Sequence, residues 1–260
     1  MIRHLLTEAL ASIPRHEWHP KISLYLRSFN VVMGEFPEID ELDEGKWDAI
    51  ILTGTPESCT QEHVIWMDVL RKYVAHVAEV HPLVRIIGLC FGHQLIAQAF
   101  GGEVVQDRAN AEYLEQLHYD SVKQMPKPVD DEPWELVGSS EQVPIQGLAL
   151  RYATEAPPLP SSVKTSSYIA FDVEDSTTSA SGPLAIRHLH VFTLQGHPEF
   201  NTAVAQTELT ALHECQQMDE ATYRAAYKRA GAEQDGLETA RMILAMLGVE
   251  PALAEENLSM

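Results

Sequence analysis

Cys90 lies in "RIIGLCFGHQLIAQAFGG" (85–102), where an apolar strand-like run gives way to helical spacing. The local pattern, Gly88-Leu89-Cys90-Phe91-Gly92, is a Gly-x-nucleophile-x-Gly elbow with cysteine in place of serine. At such a strand-to-helix turn the side chain projects above the sheet, and flanking glycines relieve crowding against neighbouring backbone. The N-terminus of the following helix favours the thiolate, the reactive form of cysteine, and offers N–H donors to an oxyanion. Buried free cysteines are also common as small apolar side chains. Cys59 and Cys215, which lack the glycine frame, are read that way.

A thiolate needs a base, and "TLQGHPEF" (193–200) supplies one. Side chains two apart on an extended segment point the same way, and Pro198 biases His197 toward extended geometry. Glu199 can therefore orient the His197 imidazole and stabilise the imidazolium formed when it takes the Cys90 proton. Twelve histidines occur in the chain, but His197 has neighbours that define a role. No ligand spacing of the His-Glu-x-x-His kind is present, nor any glycine-rich phosphate loop, so neither a metal nor another cofactor is expected.

These residues need elements to hold them. "WDAIILTGT" (47–55) and "VRIIGLC" (84–90) read as buried strands, and "SFNVVMGEF" (28–36) as a shorter one. Residues 60–80 have helical apolar spacing with Thr60 placed as N-cap, and 2–10 and 235–248 are further amphipathic helices. Alternating strand and helix over 28–100 predicts an α/β fold, a mostly parallel sheet flanked by helices. Residues 103–190 hold short strand candidates, among them "EVVQ", "VPIQGLALRY", "SYIAFDV" and "LHVFTLQG", between Pro/Ser/Thr-rich loops at 154–167 and 174–183. No linker separates two domains. Residues 1–250 are expected to form one unit and 251–260 a frayed tail.

Of the 260 residues 45% are hydrophobic, and 38 acidic against 18 basic residues give a net charge of -20. Such a surface repels phosphate backbones and anionic lipid, arguing against nucleic-acid and membrane partners. Three cysteines without paired spacing, and an opening broken by His4, Glu8 and Arg15, predict a cytoplasmic protein.

The two motifs together resemble class I, triad-type glutamine amidotransferases, whose marks are a Gly-x-Cys-x-Gly-x-Gln elbow and a distant Gly-His-Pro-Glu. Here they stand as Gly88-Leu89-Cys90-Phe91-Gly92-His93-Gln94 and Gly196-His197-Pro198-Glu199. The resemblance covers approximately residues 28–215 and is nearest to free-standing fungal and bacterial proteins of this type, with plant γ-glutamyl peptide hydrolases in the same group. It implies a flavodoxin-like fold, Cys90 as nucleophile, His197 as base and Glu199 as its partner. It further implies oxyanion N–H groups from Gly54 and Phe91, and glutamine binding by Gln94. His118, in the His-x-Asp segment "LHYDSV" (117–122), is taken as structural.

The chain departs from that pattern twice. It opens on "MIRHLLTEAL" and lacks the family's usual first strand, which would lie between the strands read at 28–36 and 47–53. About fifteen residues, "EVVQDRANAEYLEQL", stand where the family carries a longer strand-rich insert. Two functions are therefore weighed. One is an enzyme hydrolysing or transferring the γ-amide of glutamine or a γ-glutamyl compound, by analogy in a specialised-metabolite pathway, with any synthetase or acceptor protein separate. The other is a catalytically impaired accessory or binding subunit.

Overall fold

The computed structural model describes residues 1–13, 22–107, 119–129, 132–140, 143–153 and 186–249. His118, the loops at 154–183 with the strand candidate "SYIAFDV", and the tail at 251–260 lie outside them.

Five strands form the central sheet: β1 (Ala49–Leu52), β2 (Arg85–Leu89), β5 (Glu135–Gly138), β6 (Gly147–Arg151) and β7 (Leu189–Leu194), in the order β1-β2-β7-β6-β5. β1, β2 and β7 run parallel, while β6 and β5 extend the sheet antiparallel. β3 (Glu103–Asp107) and β4 (Tyr119–Gln124) form a separate antiparallel pair, and residues 119–122 of the "LHYDSV" segment fall in β4.

Every residue of β2 is buried, because helices cover both faces of the sheet. Ile86 and Val191 pack with α3 (Ile65–Val80) and α4 (Phe91–Ala99). Ile87, Leu89 and Phe192 pack with α1 (Ile2–Ser12) and α7 (Gly236–Met246). α1 and α7 are in contact, Leu6 and Ala9 facing Ala240, Ile243 and Leu244. Shorter helices complete the chain: α2 (Ile39–Asp43), α5 (Thr202–Glu214) and α6 (Glu220–Arg229). Among the described residues, no helix is long and apolar enough to cross a membrane.

The strand expected at 28–36 does not form. Asn30 accepts a hydrogen bond from the Met33 N–H, Glu35 accepts one from the Asn30 N–H, and Gly34 turns left-handed at φ 78°. These local bonds satisfy the backbone in a 3₁₀ turn at Val31–Met33, removing it from the sheet. β1 consequently lies at the sheet edge, so the slot expected between strands at 28–36 and 47–53 has no counterpart. Thr60 also departs from expectation. α3 begins at Ile65 after Val64, and the Thr60 N–H and hydroxyl are instead directed at the Asp120 carboxylate.

Candidate active site

Parallel pairing explains how residues about a hundred positions apart meet. β1, β2 and β7 are neighbours in register, Leu52 opposite Gly88 and Leu89 opposite Leu194. Their carboxyl ends therefore deliver Gly54, Cys90 and His197 to one edge of the sheet, where parallel α/β folds place their sites.

At the elbow Cys90 has φ 54° and ψ −109°, a backbone conformation costly for any side chain but glycine. Its N–H donates to the Leu194 carbonyl at 2.8 Å, tying the turn to the end of β7. Packing enforces the flanking glycine: a Cβ on Gly92 would stand 2.4 Å from the Leu52 carbonyl oxygen. Phe91 opens α4 directly after Cys90, so its N–H belongs to the first helical turn, which has no intrahelical acceptor.

His197 Nδ1 lies 2.9 Å from Glu199 Oε1, and the imidazole is close enough to the Cys90 thiol for the two to interact. Those two partners, Cys90 first and Glu199 second, push the His197 pKa up to about 10 against the opposing effect of burial. The Phe200 ring stacks on the imidazole at 4.3 Å between centroids, limiting its rotation. Gly54 borders both side chains: a Cβ there would fall 2.7 Å from His197 Cε1 and 3.5 Å from Cys90 Cβ.

Below the thiol lies a buried amide network. Gln94 Nε2 donates to the Asp120 main-chain carbonyl at 2.8 Å and to Gln195 Oε1 at 3.1 Å. Gln195 Nε2 donates to Cys90 Sγ at 3.7 Å. The Asp120 carboxylate accepts from Ser58 Oγ at 2.6 Å and from the Thr60 N–H at 3.3 Å, anchoring the loop that follows Gly54.

The other cysteines differ. Cys59 is buried, its thiol pushed up to about 12 by desolvation. Cys215, read from sequence as a small core side chain, is exposed at the end of α5. Among the described residues no cluster of three or more His, Cys, Asp or Glu could hold a metal ion.

The structure thus brings together Cys90, His197, Glu199 and Gly54, with Phe91 opening the adjacent helix and Gln94 buried within its first turns. Sequence reasoning missed Gln195, Phe200 and the Asp120 carboxylate. The signal for Gln195 was present, since it stands two residues before His197 at a strand end.

Fold and site define an α/β protein with a cysteine at the tip of a strained strand-to-helix turn. The family model for glutamine amidotransferase class-I matches residues 22–214, and the chain belongs to that family. It is 27% identical to a glutamine amidotransferase-like protein of Schizosaccharomyces pombe over 196 residues, 75% of this chain and 67% of that one. It is 35% identical to gamma-glutamyl peptidase 4 of Arabidopsis thaliana over 85 residues, 33% of this chain and 32% of the peptidase. A glutamine amidotransferase of Thermotoga maritima has the same fold, with a TM-score of 0.52 at 14% identity, covering 85% of this chain and 86% of that one.

Proposed function

We propose that the protein hydrolyses or transfers the γ-amide of glutamine or of a γ-glutamyl compound through a thioester on Cys90. The juxtaposition of the Cys90 thiol, the His197 imidazole and the Glu199 carboxylate carries this reading. His197 holds the proton taken from Cys90, and the thiolate attacks the γ-carbonyl carbon, forming a C–S bond. The resulting oxyanion accepts from the N–H groups of Gly54 and Phe91, each such donor lowering the barrier by about 3 kcal/mol. As the C–N bond breaks, His197 passes its proton to the leaving amine and the γ-glutamyl thioester remains. Water then attacks, giving a proton to His197; the C–S bond breaks, and the γ-carboxylate product leaves. An amine in place of that water gives transfer.

Glu199 keeps the imidazole oriented and its charge balanced throughout. Gln94 contributes to the glutamine pocket with Nε2 committed to Asp120 and Gln195. Residues 1–250 act as one amidotransferase-like unit in the cytoplasm, in keeping with three cysteines that form no disulfide. A separate synthetase or acceptor protein would use the released ammonia, in a specialised-metabolite pathway by analogy. The assembled triad favours an enzyme over a catalytically impaired accessory subunit.

Ammonia release from glutamine and from γ-glutamyl peptides, wild type against Cys90→Ala, tests the proposal. Turnover abolished by the substitution supports it. Absence of turnover, together with no labelling of Cys90 by a glutamine-analogue electrophile, would leave the accessory role.

A further inference from the structure

We propose that Gln195 is a catalytic residue: its side-chain amide donates to Cys90 Sγ, steadying and aiming the thiolate. The assignment rests on the Cys90 reading above and adds a residue to it.

Amide nitrogen and oxygen are told apart by their partners, and here the partners leave one solution. The Asp120 main-chain carbonyl can only accept, so the Gln94 atom 2.8 Å from it is the nitrogen. That NH₂ group points its second hydrogen at the Gln195 side chain, 3.1 Å away, so the facing Gln195 atom is the oxygen. The Gln195 NH₂ group must then face Cys90 Sγ, at 3.7 Å, within range of an N–H···S bond. Gln195 is 5% exposed and Gln94 6%, so water competes little for these donors. The Gln195 main chain is fixed as well, its N–H donating to the Gln146 carbonyl at 2.7 Å.

A donor to sulfur favours the thiolate over the thiol, because only the anion is a strong acceptor. His197 approaches the sulfur with its own proton, so the two donors hold the thiolate while the γ-carbonyl carbon is still to be attacked. Gln94 acts through Gln195: by occupying Oε1 it prevents the amide from flipping and presenting oxygen to the sulfur.

The test is the pH dependence of Cys90 alkylation by iodoacetamide, followed by mass spectrometry on the substrate-free protein. Gln195→Glu keeps the volume and an oxygen for Gln94 while replacing the donor by an anion. Gln195→Leu removes the donor without adding charge. The half-maximal pH is expected to rise by roughly one unit or more in Gln195→Leu and further in Gln195→Glu. Far-UV circular dichroism identifies a variant that fails to fold, in which case the other decides. A wild-type midpoint well below that of an ordinary thiol, unmoved in the folded variants, would overturn the role of Gln195 and leave the Cys90 reading intact. A wild-type midpoint in the ordinary thiol range, likewise unmoved, would remove both.

Discussion

Glu199 Oε1 and His197 Nδ1 meet at 2.9 Å with only Pro198 between the two residues along the chain. The Glu199 side chain is 6% exposed, and its other oxygen has no hydrogen-bond partner among the described residues. A carboxylate so placed is balanced chiefly by a positive charge on the imidazole. This raised His197 pKa means that the imidazolium persists through neutral pH and is lost only as pH rises toward about 10. Glu199→Gln preserves shape but removes the charge. The alkaline limb of the kcat/KM profile should move down by roughly one pH unit, stopping short of an unperturbed histidine because the larger support from Cys90 remains. Turnover at pH 7 should fall by roughly 10²-fold or more. An unmoved limb would mean that Glu199 does not support the imidazolium.

Gly54 and Gly196 both flank the Cys90–His197–Glu199 group, yet their surroundings predict opposite outcomes. Alanine at 54 drives a methyl to 2.7 Å from His197 Cε1, so the imidazole must shift off the thiol. Alanine at 196 meets nothing within 4 Å, and the backbone there has no positive φ. Gly54→Ala should lower kcat/KM by about 10²-fold in a folded protein, while Gly196→Ala stays within a few-fold of wild type. Equal losses at both positions would contradict the close approach at Gly54.

The contrast shows what the amino-acid pattern could reveal. The elbow glycines, the strand ends and the His-Pro-Glu turn are local features, legible because each depends on a few consecutive residues. Gln195 and the Asp120 carboxylate act through contacts between segments distant along the chain. The position of Gln195 two residues before His197 hints at the site without showing what its amide meets, while Phe200 stacks locally on His197. Residues 28–36 misled for a related reason. Their β-branched and aromatic content suits a strand, but side-chain acceptors on Asn30 and Glu35 close a turn first. Thr60 looked like a helix cap until Asp120, sixty residues away, supplied its partner.

His93 follows the elbow by three residues but lies wholly within the core. Its Nδ1 is 2.7 Å from Thr193 Oγ1 and its Nε2 3.3 Å from the Ile145 carbonyl, and burial lowers its pKa to about 4. His190, on β7, is lowered to about 4 by burial and by Arg85. Both are neutral when folded, whereas the unfolded chain protonates them below about pH 6.5. Their contribution to stability is therefore present above that pH and is lost as pH falls toward 4, at about 1.4 kcal/mol per pH unit for each group. His93→Gln should lose stability at pH 7 through broken hydrogen bonds, yet show a shallower decline between pH 6.5 and 4. Urea midpoints across that range test this; parallel curves would exclude His93 as a source of acid sensitivity.

Gly236 couples the opposite side of the sheet to the site. It begins α7, and a Cβ there would lie 2.3 Å from the carbonyl oxygen of Pro198, which lies between His197 and Glu199. α7 cannot readily retreat, because Ala240, Ile243 and Leu244 are fully buried against α1 and the sheet. In Gly236→Ala the strain must therefore pass into the Pro198 backbone. The expected result is a loss of about 1–3 kcal/mol in urea unfolding. In the folded fraction, kcat should fall by about 10²-fold with little change in KM, because the proton carrier rather than the substrate is displaced. Glu238→Ala, an exposed position on the same helix paired with Arg241, should leave kinetics unchanged. Destabilisation of Gly236→Ala with full activity would show that the His197–Glu199 turn yields to α7 without losing its alignment.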